Sequence, residues 1–432
     1  MSKKQQREDM KKAREMYQNK EFGEALKIYD QLWPIDKALF YAEDIYRYCV
    51  CLRKSRKSSE ALPIARELSS MKPLDTRYKN LLGWILYDRT FHEKSTSGEE
   101  TTAAAEEILS ITRQQPQSPY ELTVIKMLEK LTAKVPIPGV EIDRWLNRID
   151  PSLLDTASYD FDLGKGRTVR RPSNAEAWYL SSAILHFFNQ NYRDCIATCD
   201  TILALIDEKI PNADKAPFLW YRGLSNKKQG NIAEALEEFL EVKKSTSDYS
   251  IYYEIANALF SLGDEPRSLK YAVKAVLSST EISRQYEAYL LLANIYQNTG
   301  SLEMERKCLL LYRLVSEEQK NAIAVKVAER IATLSVPVML TKDQLYRELE
   351  MLWVLSCKKI MYRKEGTVKK IFTQKRGTVI DSDGKEYTFG SRAVQGSPTL
   401  LKPGNPVSIY IDPEDVSMTK QRAEAYLVIP KP

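Results

Sequence analysis

The stretch LWYRGLSNKKQGNIAEALEEFLEV, Leu219–Val242, contains a spacing that recurs twice downstream, in YYEIANALFSLGDEPRSLKYAVKAV (Tyr252–Val276) and YLLLANIYQNTGSLEMERKCLLLY (Tyr289–Tyr312). Four residues after the first anchor stands a small residue: Gly223, Ala256 or Ala293. Seven residues later comes a glycine, Gly230, Gly263 or Gly300, and then a second amphipathic segment. The glycines lie 33 and 37 residues apart, the period of helix-turn-helix repeats. The small residue lets the second helix approach the first, and the glycine accepts the positive φ that ends a helix. Ala235, Leu236 and Phe239 give the second helix an apolar stripe at three-and-four spacing.

Similar text extends in both directions. Glu176–Leu203 has its anchor at Trp178 and Cys195 where the others carry a small residue. Nearer the start, Ala13, Tyr17, Phe22, Ala25, Leu26 and Tyr29 form one hairpin, and Ala61 and Leu62 with the closing Pro73 mark a second. A third joins NLLGWILYD to AAAEEILSITRQQP across an acidic, Ser/Thr-rich insert, His92–Thr102. Roughly seven hairpins are expected. At these residues the pattern resembles tetratricopeptide repeats, a resemblance that implies an α-solenoid whose inner helices line a groove for a protein or peptide partner. In that family an Asn one position after the small residue often holds the ligand backbone. Asn257 and Asn294 occupy that position, and Leu224 breaks the series. Tyr221, Tyr253 and Phe260 would add apolar contact, and Lys227 and Lys228 would meet an acidic group; a solvated helix face is the other reading of the Asn pair.

Regularity lapses over residues 135–173. Trp145, Tyr159 and Phe161 are expected to pack part of this insertion onto the repeats, and TVRR (Thr168–Arg171) reads as a solvated loop or a basic edge. The nearby Gly-Lys-Gly lacks a preceding strand and Walker spacing, which argues against a phosphate cradle. Two further helices follow the last hairpin. The second, carrying Leu345, Leu349, Leu352, Trp353 and Ile360, is expected to cap the stack, since an open end would expose its stacking face.

From Gly366 the period changes to two, with five short strand candidates separated by Asp-Gly and Pro-Gly turns. Five strands in about 65 residues suggest an OB-type barrel. Gly366, Val368, Lys369, KRGTVI (Lys375–Ile380), Asp383–Gly384, YTFG (Tyr387–Gly390) and LKPGNPVSIY (Leu401–Tyr410) together resemble a cold-shock domain. The resemblance implies single-stranded nucleic acid as ligand, but the stacking aromatics are largely replaced. Lys370 stands where the family has Trp, Gly377 and Val379 replace two Phe, and Thr388 and Gly390 replace a Phe and a His. Tyr387, Phe389 and Phe372 remain beside the cations Lys369, Lys370, Lys375, Arg376, Lys385 and Arg392. Each lost platform forfeits about 1–3 kcal/mol of stacking. Two readings stay open: weak backbone contact with RNA or single-stranded DNA, or a protein-docking or structural module. Repeats joined to such a tail look like proteins of prokaryotic conflict and mobile-element loci, and an antiphage role would follow from that resemblance alone.

The 432-residue chain has 64 Lys and Arg against 58 Asp and Glu, a mild net charge of +6 that permits but does not demand nucleic acid. Its charged start lacks a signal-peptide core and no long apolar run exists, so a cytoplasmic protein with no membrane span is expected. Six scattered cysteines and two histidines offer no metal set, and no catalytic constellation assembles; the expectation is a non-enzymatic protein without cofactor or metal. His186 is expected in the core. The expected organisation is repeats over 1–134, an irregular insertion over 135–173, repeats over 174–335, a capping helix over 336–362 and the barrel over 363–432.

Overall fold

The computed structural model describes residues 2–93, 98–134, 136–162, 164, 168–246, 248–278, 281–333, 340–373, 376–390, 393–395, 398–413 and 423–431. Two compact units, Met1–Tyr221 and Arg222–Pro432, divide the chain. The first contains α1 (Lys3–Gln18), α2 (Phe22–Leu32), α3 (Ala42–Lys54), α4 (Ser58–Met71), α5 (Thr76–Asp88), α6 (Gly98–Ile111), α7 (Tyr120–Thr132), α8 (Gly139–Leu146), strands β1 (Tyr159–Asp162) and β2 (Thr168–Arg171), α9 (Asn174–Phe188) and α10 (Tyr192–Lys209). The unit boundary falls within α11 (Ala216–Gln229). The second unit continues with α12 (Ile232–Val242), α13 (Tyr249–Ser261), α14 (Glu265–Ser278), α15 (Tyr286–Asn298), α16 (Leu302–Gln319), α17 (Val325–Ala332) and α18 (Lys342–Cys357), and ends in a five-stranded barrel.

Antiparallel pairs α1–α2, α3–α4, α9–α10, α13–α14 and α15–α16 are tetratricopeptide-type hairpins, and α11 turns into α12 at Gly230 in the same way. One geometric rule runs through them. A small buried residue on the first helix (Ala13, Cys49, Ala183, Gly223, Ala256, Ala293) is followed twelve positions on by a buried partner: Ala25, Ala61, Cys195, Ala235, Ser268, Glu305. At Gly223 a methyl group would lie 2.7 Å from Phe239 Cε1, so the close approach excludes even alanine without movement. Cys195 Sγ and Ser268 Oγ reach back to the carbonyls of Ala183 and Ala256 at 3.4 and 2.8 Å. Seven positions after each small residue the chain turns with positive φ, at Lys20, Arg56, Gln190, Gly230, Gly263 and Gly300. Only the second unit uses glycine there, which is why its repeats are the plainer ones in the sequence.

The insertion is more ordered than its composition suggests. It contains α8, which buries Ile142, Trp145 and Leu146. Strands β1 and β2 form an antiparallel hairpin. A strand therefore does precede Gly164, contrary to expectation, but a second strand follows it rather than a helix. TVRR is likewise a strand and not a solvated loop. Arg170 donates to both carboxylate oxygens of Glu176 at 3.0 and 2.8 Å, and Glu176 closes the capping box of α9 with Ser173. The side chains of Tyr159 and Phe161 lie outside the described residues.

The barrel strands are β3 (Tyr362–Thr373), β4 (Arg376–Asp381), β5 (Glu386–Phe389), β6 (Pro406–Ile411) and β7 (Ala423–Pro430). Their order, β3-β4-β5-β7-β6, closes through β3–β6 pairing, with a short parallel contact between β5 and β7. Gly366 and Gly377 are required by packing: a Cβ there would lie 2.4 and 2.2 Å from the carbonyl oxygens of Ile380 and Lys370. Helix α18 packs along the outer helices α14 and α16. Its Trp353 stacks on Tyr289 at 5.9 Å, and its Tyr346 hydroxyl donates to the Val276 carbonyl at 2.8 Å.

The barrel is fixed to the repeats by charge. Asp412, just after β6, accepts from Lys270 at 3.0 Å and Lys274 at 2.5 Å, both on α14, and Lys270 and Asp412 are almost wholly buried. Lys270 also lies over the Tyr271 ring at 4.7 Å, and Lys243 donates to the Tyr271 hydroxyl at 2.8 Å. Removing one partner of a buried pair strands the other charge. Asp412→Ala is therefore expected to cost the full-length chain about 3–5 kcal/mol in urea unfolding, whereas truncating Glu303, which is exposed, should leave the unfolding midpoint unchanged.

Candidate functional site: inner helix face and barrel surface

On α13, Tyr249 and Tyr253 stack at 5.8 Å with a 16° interplanar angle. Burial pushes both phenols up from their ordinary range. Asn257 Nδ2 donates to the Tyr253 hydroxyl at 3.3 Å, and both side chains are half-buried. The amide thus keeps acceptor capacity beside an aromatic wall. Phe260 is half-buried one turn on. Tyr249 was not among the sequence candidates, although its spacing of four from Tyr253 places it on the same face.

The remaining groove candidates are placed differently. Lys227 is committed to Glu254 at 2.5 Å, while Lys228 is exposed. Tyr221 belongs to the first unit, where its ring packs edge-on against Phe187 at 5.7 Å. Asn294 Oδ1 accepts from Arg330 Nη1 at 2.7 Å, so a side chain of α17 sits on it. Arg330 also donates to Glu305 through Nε at 2.7 Å and to the Ala293 carbonyl at 3.1 Å. Sequence reading missed both Arg330 and Glu305. Glu305 carried a visible signal, since it stands where every other hairpin has Ala, Cys or Ser.

On the barrel, Tyr387 and Phe389 point inward. The alternation of β5 puts both in the core, and the Tyr387 hydroxyl donates to Asp381 at 2.9 Å, so neither ring is an exposed platform. Lys369 pairs with Glu386, and Lys385 lies half-buried over the Tyr387 ring at 5.9 Å. Lys370 is exposed, over the ring of exposed Phe372 at 5.5 Å, and Arg376 is exposed as well. Lys375 and Arg392 lie outside the described residues. Lys364, not among the candidates, donates to Asp381 and Asp383 at 2.6 and 2.9 Å, and these partners push its ammonium pKa up.

Among the described residues no group of His, Cys, Asp and Glu is placed to hold a metal ion, and no helix is long and apolar enough to cross a membrane. His92 sits exposed on a π-turn that extends α5, 3.3 Å from Asp88. His186 is half-buried, not a core residue as expected.

No protein-family model and no curated protein matches the chain. Solved structures do match. The anaphase-promoting-complex hetero-tetramer Cut9–Hcn1 is 12% identical with a TM-score of 0.36, over 72% of this chain and 52% of that one. This chain thus spans about half the length of that relative. A tetratricopeptide repeat protein from Parabacteroides merdae is 13% identical over 76% of this chain and 97% of that one, with a TM-score of 0.28. Human IFIT1, solved as a dimer with PPP-AAAA, is 11% identical over 79% and 72%, with a TM-score of 0.34.

All six cysteines are buried thiols. Burial pushes Cys49, Cys51, Cys308 and Cys357 up from an ordinary 9.0 to about 12. The folded state then holds these protons more tightly than the unfolded chain. Their contribution to stability is complete below the unfolded value and is lost as pH rises from about 9 toward 12. Unfolding midpoints should fall over that window, and iodoacetamide at pH 8 should label these four thiols only after denaturation.

Proposed function

We propose that the chain is a non-enzymatic interaction scaffold whose second unit holds a partner segment against the inner face of α13. The observation that carries this reading is the state of Asn294. One repeat after Asn257, at the equivalent position, its amide oxygen accepts from a side chain of a separate segment, Arg330. The fold thus already uses this register to hold a segment, and Asn257 offers the same amide beside the stacked Tyr249–Tyr253 pair. A peptide backbone suits it, because an amide both donates and accepts.

Peptides selected by display against the full-length protein provide the test. Tyr253→Ala with Asn257→Ala is expected to weaken the selected peptides about three- to thirtyfold, the worth of one or two hydrogen bonds with some aromatic contact. Helicity by circular dichroism should not change. Undiminished binding rejects the site.

In this reading the appended barrel, a degenerate relative of cold-shock domains, is a docked structural module. Its Tyr387 and Phe389 are spent on its own core and several of its cations on carboxylates. The second reading, an accessory protein touching RNA or single-stranded DNA in a prokaryotic defence or mobile-element system, draws on exposed Lys370, Phe372 and Arg376. Two to four phosphate contacts, counting Lys375 and Arg392, would give a log K against log salt slope of about −1.4 to −2.8. Titrating labelled single-stranded RNA with the full chain at 50 and 200 mM salt should therefore reveal only weak, salt-sensitive binding. No binding even at 50 mM salt would reject this second reading, and tight, salt-resistant binding would show base stacking beyond what phosphate contacts supply.

A further inference from the structure

The last hairpin breaks the rule that the others obey. Twelve residues after Ala293 stands Glu305, a carboxylate only 5% exposed. Burying an ion costs several kcal/mol unless its partner is well placed. Here the partner is the Arg330 guanidinium, whose Nε and Nη2 lie 2.7 and 2.6 Å from Glu305 Oε1. Its Nη1 and Nη2 reach Asn294 Oδ1 at 2.7 Å and the Ala293 carbonyl at 3.1 Å. Three acceptors from α15 and α16 surround one planar fork, a match that an ammonium cannot reproduce.

The receptor and its occupant differ in how firmly they are held. Asn294 and Glu305 belong to a packed hairpin whose neighbours Ala293, Ile295, Cys308 and Leu309 are fully buried. Helix α17 has eight residues, of which only Ile331 is buried; Val325, Lys326, Ala328, Glu329 and Ala332 are exposed. A helix this short is marginal by itself.

We infer that Glu305, Asn294 and the Ala293 carbonyl form a guanidinium-binding site for an arginine of a partner peptide, with α17 as the intramolecular occupant that the peptide displaces. This rests on the reading that the inner face of the second unit binds a peptide segment. The internal arginine lowers the apparent affinity for the external one by the fraction of molecules in which the site is open.

The probe is a labelled peptide of this chain's own sequence, NAIAVKVAERIAT (Asn321–Thr333), titrated into full-length protein and followed by fluorescence anisotropy. Arg330→Ala protein should bind it at least about tenfold more tightly than the unsubstituted chain. Adding Glu305→Ala, which restores the alanine found at Ala235, should abolish the gain. A peptide with Lys in place of its arginine should lose most of its affinity. If Arg330→Ala protein is too unstable to titrate, the peptide must raise its Tm. Equal affinities for the two proteins, or no Tm shift, would overturn the site. Displacement by free arginine at equal concentration would overturn the assignment to a peptide. The groove reading fails separately: display-selected peptides would then be indifferent to Tyr253→Ala with Asn257→Ala, whatever Arg330→Ala does.

Discussion

The structure depends on two backbones coming close together at one point in each hairpin. A side chain no larger than a thiol on the first helix faces a small residue twelve positions on, in every such hairpin but the last, where Glu305 stands, and the turn between them passes through a left-handed residue. The approach leaves room for the large side chains around it, so Tyr29, Phe239 and Tyr271 pack without exposure. Where the second residue can donate, as in Cys195 and Ser268, it satisfies a carbonyl on the facing helix and locks the pair in register. Each hairpin leaves an apolar flank that only a neighbour can cover, and that requirement propagates the array.

The repeats were legible because this constraint acts on residue size at fixed spacing. The three glycine-marked hairpins were plain, and those turning at Lys20, Arg56 and Gln190 were recoverable only from their apolar anchors. The barrel was legible from its alternation and turn glycines. The β1–β2 hairpin was not: four-residue strands carry too little pattern, and its order depends on Arg170 meeting Glu176 six residues away. Which aromatics of β5 face inward could have been settled by parity with Val379, its cross-strand partner at Tyr387. The occupant of Asn294 could not, because α17 is placed by one buried apolar residue, Ile331, and one guanidinium whose acceptors are far away in sequence.

The two candidate surfaces are unequal in chemistry. On α13 an amide with remaining hydrogen-bonding capacity sits beside a stacked pair of rings, whereas the equivalent amide on α15 is already taken by Arg330. The barrel buries Tyr387 and Phe389 in its own core and leaves Phe372 exposed beside Lys370. A fold does not by itself carry an activity, and what this barrel can offer is set by the side chains left on its surface.

The joint between barrel and repeats has a bearing on how the tail is oriented. Two ammonium groups on α14 converge on one carboxylate from the β6 end, each meeting a different oxygen. A single contact would leave that end of the barrel free to swivel; two, four residues apart on one helix, fix its rotation as well as its position. The same carboxylate therefore works as a key with two teeth, and a shorter or neutral side chain in its place would leave the tail attached by its chain yet without a defined bearing on the helix beneath.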